Sequence, residues 1–114
     1  MPLSNFERTF LAALAQPDRQ REIILSQLKV ATVVSRDYTG VGLYTELSVP
    51  ETAPRLDEAR CRHEDMPQCS GEHPHLPAGA GFILWLRDGY ISCLESYTYG
   101  GSWSVNEDAF RPAA

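Results

Sequence analysis

The 114-residue chain has no run of apolar residues near 18 long, which excludes a transmembrane helix. It has no basic excess: the net charge is −5 and the isoelectric point about 5.1, which argues against nucleic acid as the main partner. It has only three cysteines, Cys61, Cys69 and Cys93, and an odd count does not suit a secreted disulfide framework. Cys93 lies in an apolar run and reads as a buried small hydrophobe. A Cys61–Cys69 bridge requires an oxidising compartment. Internal repeats and low-complexity segments are absent. So are a G-x-S-x-G elbow, a P-loop and a G-x-G-x-x-G turn opening a helix, and no catalytic residue is assigned. No cofactor is called for.

What is present is ordinary globular material, 43% hydrophobic and 22% charged, which excludes global disorder. A chain of this size removes about two-thirds of its surface from water, enough for a core without disulfides. Residues 1–114 are read as a single domain. Charge is uneven: residues 1–36 carry a net of +2 and residues 37–114 a net of −7. The second part would steer a basic partner, or simply confer solubility.

Ser4-Asn5-Phe6-Glu7 has the capping-box form, with Phe6, Phe10 and Leu14 following at spacing four. This predicts a helix over about 4–15. Pro17 suits the first turn of a second helix, with Asp18 and Glu22 near its start and Lys29 near its end. The pair spans 4–28. Thr9–Ala15 imitates a short signal-peptide core, but Glu7 beside Arg8 leaves no positive flank, and the helix explains the same residues. A cytoplasmic protein is expected.

From Val30 the pattern becomes that of strands. Leu43, Thr45 and Leu47 alternate with Tyr44, Glu46 and Ser48, and Asp37-Tyr38-Thr39-Gly40 forms a turn, predicting a hairpin over 30–49. Residues 50–79 hold five of the eight prolines and read as a long loop, with one edge strand within Leu56–Glu64. Asp88-Gly89 between two β-rich runs predicts a type I′ hairpin over 80–99, followed by a tail over 100–114. Uninterrupted pairing from that turn sets Arg87 against Tyr90, Leu86 against Ile91, Trp85 against Ser92 and Phe82 against Glu95. Glu95, Cys93 and Tyr97 would then share a face with Phe82, Leu84 and Leu86, while Trp85, Arg87 and Tyr90 take the other. Both faces are apolar enough to suggest a hairpin covered twice. The predicted architecture is α+β: two N-terminal helices packed on an antiparallel sheet of four to five strands.

Three constellations bear on function. Glu95, with Tyr97 and Tyr99 nearby, forms a candidate acid-base group if desolvated, or a structural ion pair. Trp85, Arg87, Tyr90 and Trp103 belong to an aromatic-dense stretch of the kind that anchors protein interfaces, or packs a core. Cys61, His63, Cys69, His73 and His75 include zinc-type ligands but lack the spacing of a zinc site, so no metal ligand is assigned.

The run GAGFILWLRDGYISCLESYTYG over 79–100, with YTGVG over 38–42, resembles small uncharacterised bacterial α+β proteins. The resemblance implies a cytoplasmic bacterial single-domain protein and carries over no activity. The first functional reading is therefore a small interaction or regulatory protein, acting as immunity-type proteins do through a protein-binding surface. It would meet a protein partner or form a homo-oligomer, with no nucleic acid and no membrane. The alternatives are a small enzyme or ligand-binding protein with an acid-base pocket around Glu95, and a metal-binding module using the Cys and His residues of 61–75.

Overall fold

A computed structural model describes residues 1–103 and 105–113. Helices α1 (Asn5–Ala15) and α2 (Arg21–Val30) precede strands β1 (Thr32–Tyr38), β2 (Gly42–Ser48), β3 (Gln68–His73), β4 (Leu76–Arg87), β5 (Tyr90–Thr98) and β6 (Arg111–Pro112). The strands form one antiparallel sheet in the order β1-β2-β5-β4-β3-β6. The fold is α+β with the helices at the N-terminus, but the sheet has six strands instead of four to five. The additional pairing lies at one edge. The strand expected within Leu56–Glu64 is replaced by β3 further along, and the two-residue β6 pairs with β3 through Gly71–Pro112 and Glu72–Arg111. Proline is tolerated there because an outermost strand has no further neighbour to receive an N–H. Among the described residues no helix is long and apolar enough to cross a membrane.

The capping box forms as predicted: the Ser4 hydroxyl accepts from the Glu7 amide at 3.1 Å and the Glu7 carboxylate accepts from the Ser4 amide at 2.8 Å. The second helix starts later than its sequence suggests. Pro17 lies in the turn between helices, where the Asp18 carboxylate accepts from the Gln20 amide at 2.8 Å and Arg60 grips the same carboxylate with both terminal nitrogens at 2.6 and 2.9 Å. This nearly buried ion pair ties the 50–67 segment to the helix junction.

Both helices pack on one side of the sheet. Phe10 stacks on Phe82 with ring centroids 3.8 Å apart, and Phe6, Trp103 and Phe110 close around them, with Trp103 stacked on Phe110 at 4.9 Å. Leu43, Thr45 and Leu47 of β2 and Leu84, Leu86, Ile91 and Leu94 of the central hairpin complete this buried layer. The C-terminal tail packs here too, beside α1.

The turn at Asp88-Gly89 is as predicted: both residues have positive φ, 54° and 86°, which type I′ geometry demands. Arg87 pairs with Tyr90 and Leu86 with Ile91, also as predicted. Beyond them the register departs from the uninterrupted one. A bulge leaves Ser92 as an extra residue, so Trp85 pairs with Cys93, Leu84 with Leu94, Ile83 with Glu95 and Phe82 with Ser96. One inserted residue exchanges the faces of everything that follows it. Glu95, Cys93 and Tyr97 therefore leave the helix side, and Leu94 and Ser96 take their places.

Candidate functional site

The side of the sheet away from the helices carries the candidate site, and the bulge assembles it. Because β5 changes face at Ser92, Glu95 comes to the same side as Trp85 instead of the opposite one. The Trp85 indole Nε1–H donates to Glu95 Oε1 at 2.9 Å, and the Tyr44 hydroxyl reaches Glu95 Oε2 at 3.5 Å. Tyr44 stands directly across from Glu95 on β2, and Glu46 across from Cys93. Asp37, on β1, is paired with Tyr44 and brings a third carboxylate to this row. Among the described residues none of Asp37, Glu46 and Glu95 has an ion-pair partner, and the same holds for Glu22, Glu51, Glu72, Glu107 and Asp108 elsewhere.

The charge of these carboxylates is felt by their neighbours. The Glu95 carboxylate, then partial burial and their hydrogen bond, push the Tyr44 phenol above its ordinary value. Burial first, and the Glu46 carboxylate second, push the Cys93 thiol up to about 12, which makes it an inert thiol rather than a nucleophile. Burial alone pushes Cys69 to about 11. Tyr97 rises through burial and then through the charges of Tyr99 and Glu95.

Aromatic rings frame the row. The ring of His63, in a short 3₁₀ turn over His63–Asp65, lies 5.4 Å from that of Trp85. The Tyr97 ring passes close over Gly81, where a Cβ would meet it at 2.5 Å. Tyr99 packs edge-on to Tyr97 at 5.7 Å, and its hydroxyl shares a 2.8 Å hydrogen bond with that of Ser70. Tyr44 is 38% exposed and Tyr99 52% exposed, so these are surface rings rather than core.

The other sequence-predicted residues are dispersed. Arg87 projects into solvent beside the hairpin turn. Tyr90 donates to the Glu51 carbonyl at 3.0 Å with the Arg55 guanidinium 5.4 Å from its ring, in a depression of about 700 Å³ shared with Arg87 and Ser92. Trp103 does not join this face: it is buried in the aromatic cluster on the helix side, its indole donating to Glu107 at 3.0 Å. Five surface depressions among the described residues lie elsewhere than at Glu95, Tyr97 and Tyr99. His73 is buried on the far edge between the Asn106 carbonyl and the His75 amide, while His63 lies on Trp85 and Cys61 is exposed. No group of three His, Cys, Asp or Glu side chains among the described residues is placed to hold a metal ion.

Sequence reasoning placed Tyr44 and Glu46 on the face of β2 opposite Leu43, Thr45 and Leu47 but did not connect them with Glu95. Glu95 joins them only through the bulge at Ser92, which has no signal in the sequence, although the facing of β2 itself is marked by the polar Thr45 between Leu43 and Leu47. Its hydroxyl donates to the buried Glu7 at 3.1 Å, which fixes that side of β2 as the helix side and sends Tyr44 to the other. Comparison with known proteins finds no matching family model, no matching curated protein and no matching solved structure.

Proposed function

We propose that the chain is a small protein-binding module of the bacterial cytoplasm, not an enzyme, and that it engages a partner protein through the open side of its sheet. One observation carries the reading: Trp85, Tyr44, Tyr97 and Tyr99 gather on a side where neither helix packs, with two of the rings well exposed. Tyr and Trp are the side chains that most often anchor protein interfaces, because they offer large, stiff, amphipathic contact area. The partner is a different protein and not a second copy. Asp37, Glu46 and Glu95 share this side, and a self-paired surface would bring like charges together. The three free thiols support a reducing compartment. The Trp85 indole already occupies one acceptor position of the Glu95 carboxylate, which favours an anchoring role for it over acid-base work.

Site-specific photo-crosslinking in the native host tests this. A photoreactive phenylalanine analogue at Tyr44 or Tyr99 is expected to trap one defined partner, and the same analogue at Ala12, exposed on α1, is not. Traps absent at Tyr44 and Tyr99, or identical from Ala12, overturn the proposal. Sedimentation of the purified chain as a dimer, abolished by Glu46→Arg, would replace the partner by a second copy.

A further inference from the structure

We infer that the open side recognises arginine, and that Glu95 with Trp85 and Tyr44 forms the seat for one guanidinium group; this rests on the protein-binding reading above and names the partner's chemistry. The argument starts from the lone pairs of Glu95. A carboxylate offers about four acceptor positions. Oε1 spends one on the Trp85 indole at 2.9 Å, and Oε2 has only the 3.5 Å contact with the Tyr44 hydroxyl, too long to be a strong bond. The side chain is half-buried, so acceptor capacity remains beside two aromatic rings. None of the seven ion pairs of the described residues involves it.

What completes such a carboxylate is a donor with a flat face and several N–H groups. Guanidinium is planar, donates as a fork and stacks on aromatic rings, whereas ammonium is a compact point charge that holds its water. One flat surface is already fixed. The Trp85 ring is held along one edge by Glu95 and flanked by His63, while Tyr44 stands beside Glu95 on the neighbouring strand. A seat fixed before binding loses less entropy on occupation. Asp37 and Glu46, both on the β1 and β2 flank of the seat, add an attractive field that draws a cationic partner without fixing its geometry.

The chain contains its own internal control. It has two tryptophans, and both indoles donate to a glutamate, Trp85 to Glu95 and Trp103 to Glu107. The nitrogen-15-labelled full-length protein, titrated with hexa-arginine and separately with hexa-lysine at physiological salt, gives two indole signals to follow. Hexa-arginine is expected to move the Trp85 signal and not that of Trp103, and to bind about tenfold more tightly than hexa-lysine. Glu95→Gln keeps an acceptor for the indole and is expected to weaken hexa-arginine about tenfold, while Glu46→Gln, which removes the same charge nearby, weakens it no more than about twofold.

Equal binding of the two peptides, equal loss in the two variants, or movement of the Trp103 signal instead would overturn the seat and leave only a diffuse acidic surface. Should Glu95→Gln fail to fold, the arginine-to-lysine ratio and the two indole signals of the unmodified protein decide alone. The two readings fail separately. A partner trapped at Tyr44 whose binding ignores Glu95→Gln removes the seat and keeps the interaction, whereas arginine-selective binding at Trp85 with no trapped partner keeps the seat and removes the protein partner.

Discussion

Two glutamates on opposite sides of one sheet have opposite fates. Glu7 is 1% exposed and every acceptor position is filled: Oε1 takes the Ser4 amide and Arg36 Nη2, both at 2.8 Å, and Oε2 takes Arg36 Nε at 2.8 Å and the Thr45 hydroxyl at 3.1 Å. Burial by itself raises its pKa, but the hydrogen bonds and charge of Arg36, with the Ser4 amide and Thr45, hold it below the ordinary value of 4.5. Glu95 has one good bond, one long contact and no cation. A buried charge is tolerated only when its surroundings finish the job. A half-exposed one can be left incomplete because water fills the gap, and can therefore be completed by something else.

The sharpest way to break this contrast is to remove each carboxylate in turn. Glu7→Ala strands the Arg36 guanidinium and removes the carboxylate half of the capping box, and is expected to cost about 3–5 kcal/mol. Glu95→Ala is expected to cost about 1 kcal/mol or less, since it frees an indole N–H that water can reach. Urea unfolding of both variants measures the difference, and equal losses would mean that the two sides are not distinct.

Two glycines extend the comparison to packing. A Cβ at Gly71 would meet the Phe82 and Phe10 rings at 2.7 and 2.9 Å, on the stacked pair at the centre of the buried layer. A Cβ at Gly81 would meet the Tyr97 ring at 2.5 Å on the open side, where a half-exposed ring has room to swing away. Gly71→Ala is thus expected to cost about 2–3 kcal/mol, and Gly81→Ala about 1 kcal/mol despite the closer approach. Thermal unfolding of the two variants ranks them.

The smallest effect is in pH dependence, and it divides the two limbs of the stability profile. Glu7 has a lowered pKa, so its contribution is present above 4.5 and is lost as pH falls through the depressed folded value. Cys93 has a raised pKa, so its contribution is present below 9.0 and is lost as pH rises toward about 12, with Cys69 adding over a range ending near 11. Glu7→Gln is expected to flatten the acid limb alone, and Cys93→Ala to flatten the alkaline limb alone.

Most of the framework was readable in the chain because it is written in local chemistry. The capping box at Ser4 and Glu7, the paired positive-φ residues at Asp88-Gly89 and the alternation of β2 each follow from a few neighbouring residues. The candidate site was not, because it depends on a single inserted residue. Ser92 carries no signature that distinguishes a bulge from an ordinary strand position, yet it decides which side Glu95 occupies. β3 was hidden for a different reason. Gln68–His73 contains Gly71 and mostly polar residues, so its strand character comes from pairing with β4 and not from its own composition. Trp103 was placed among the interface residues because sequence density cannot tell a ring stacked on Phe110 from one facing solvent.

The side chain of Gln27 has a consequence for motion. Wholly buried on α2, it donates to the Pro54 and Gly89 carbonyls at 2.7 and 2.9 Å and accepts from the Ile91 amide at 2.8 Å. A hairpin tip is ordinarily where a sheet frays first, but this one is riveted by a single amide to a helix and to a distant loop. Opening the tip therefore means releasing its hold on α2 and on the Pro54 loop together, which couples the hairpin turn to two remote stretches of chain.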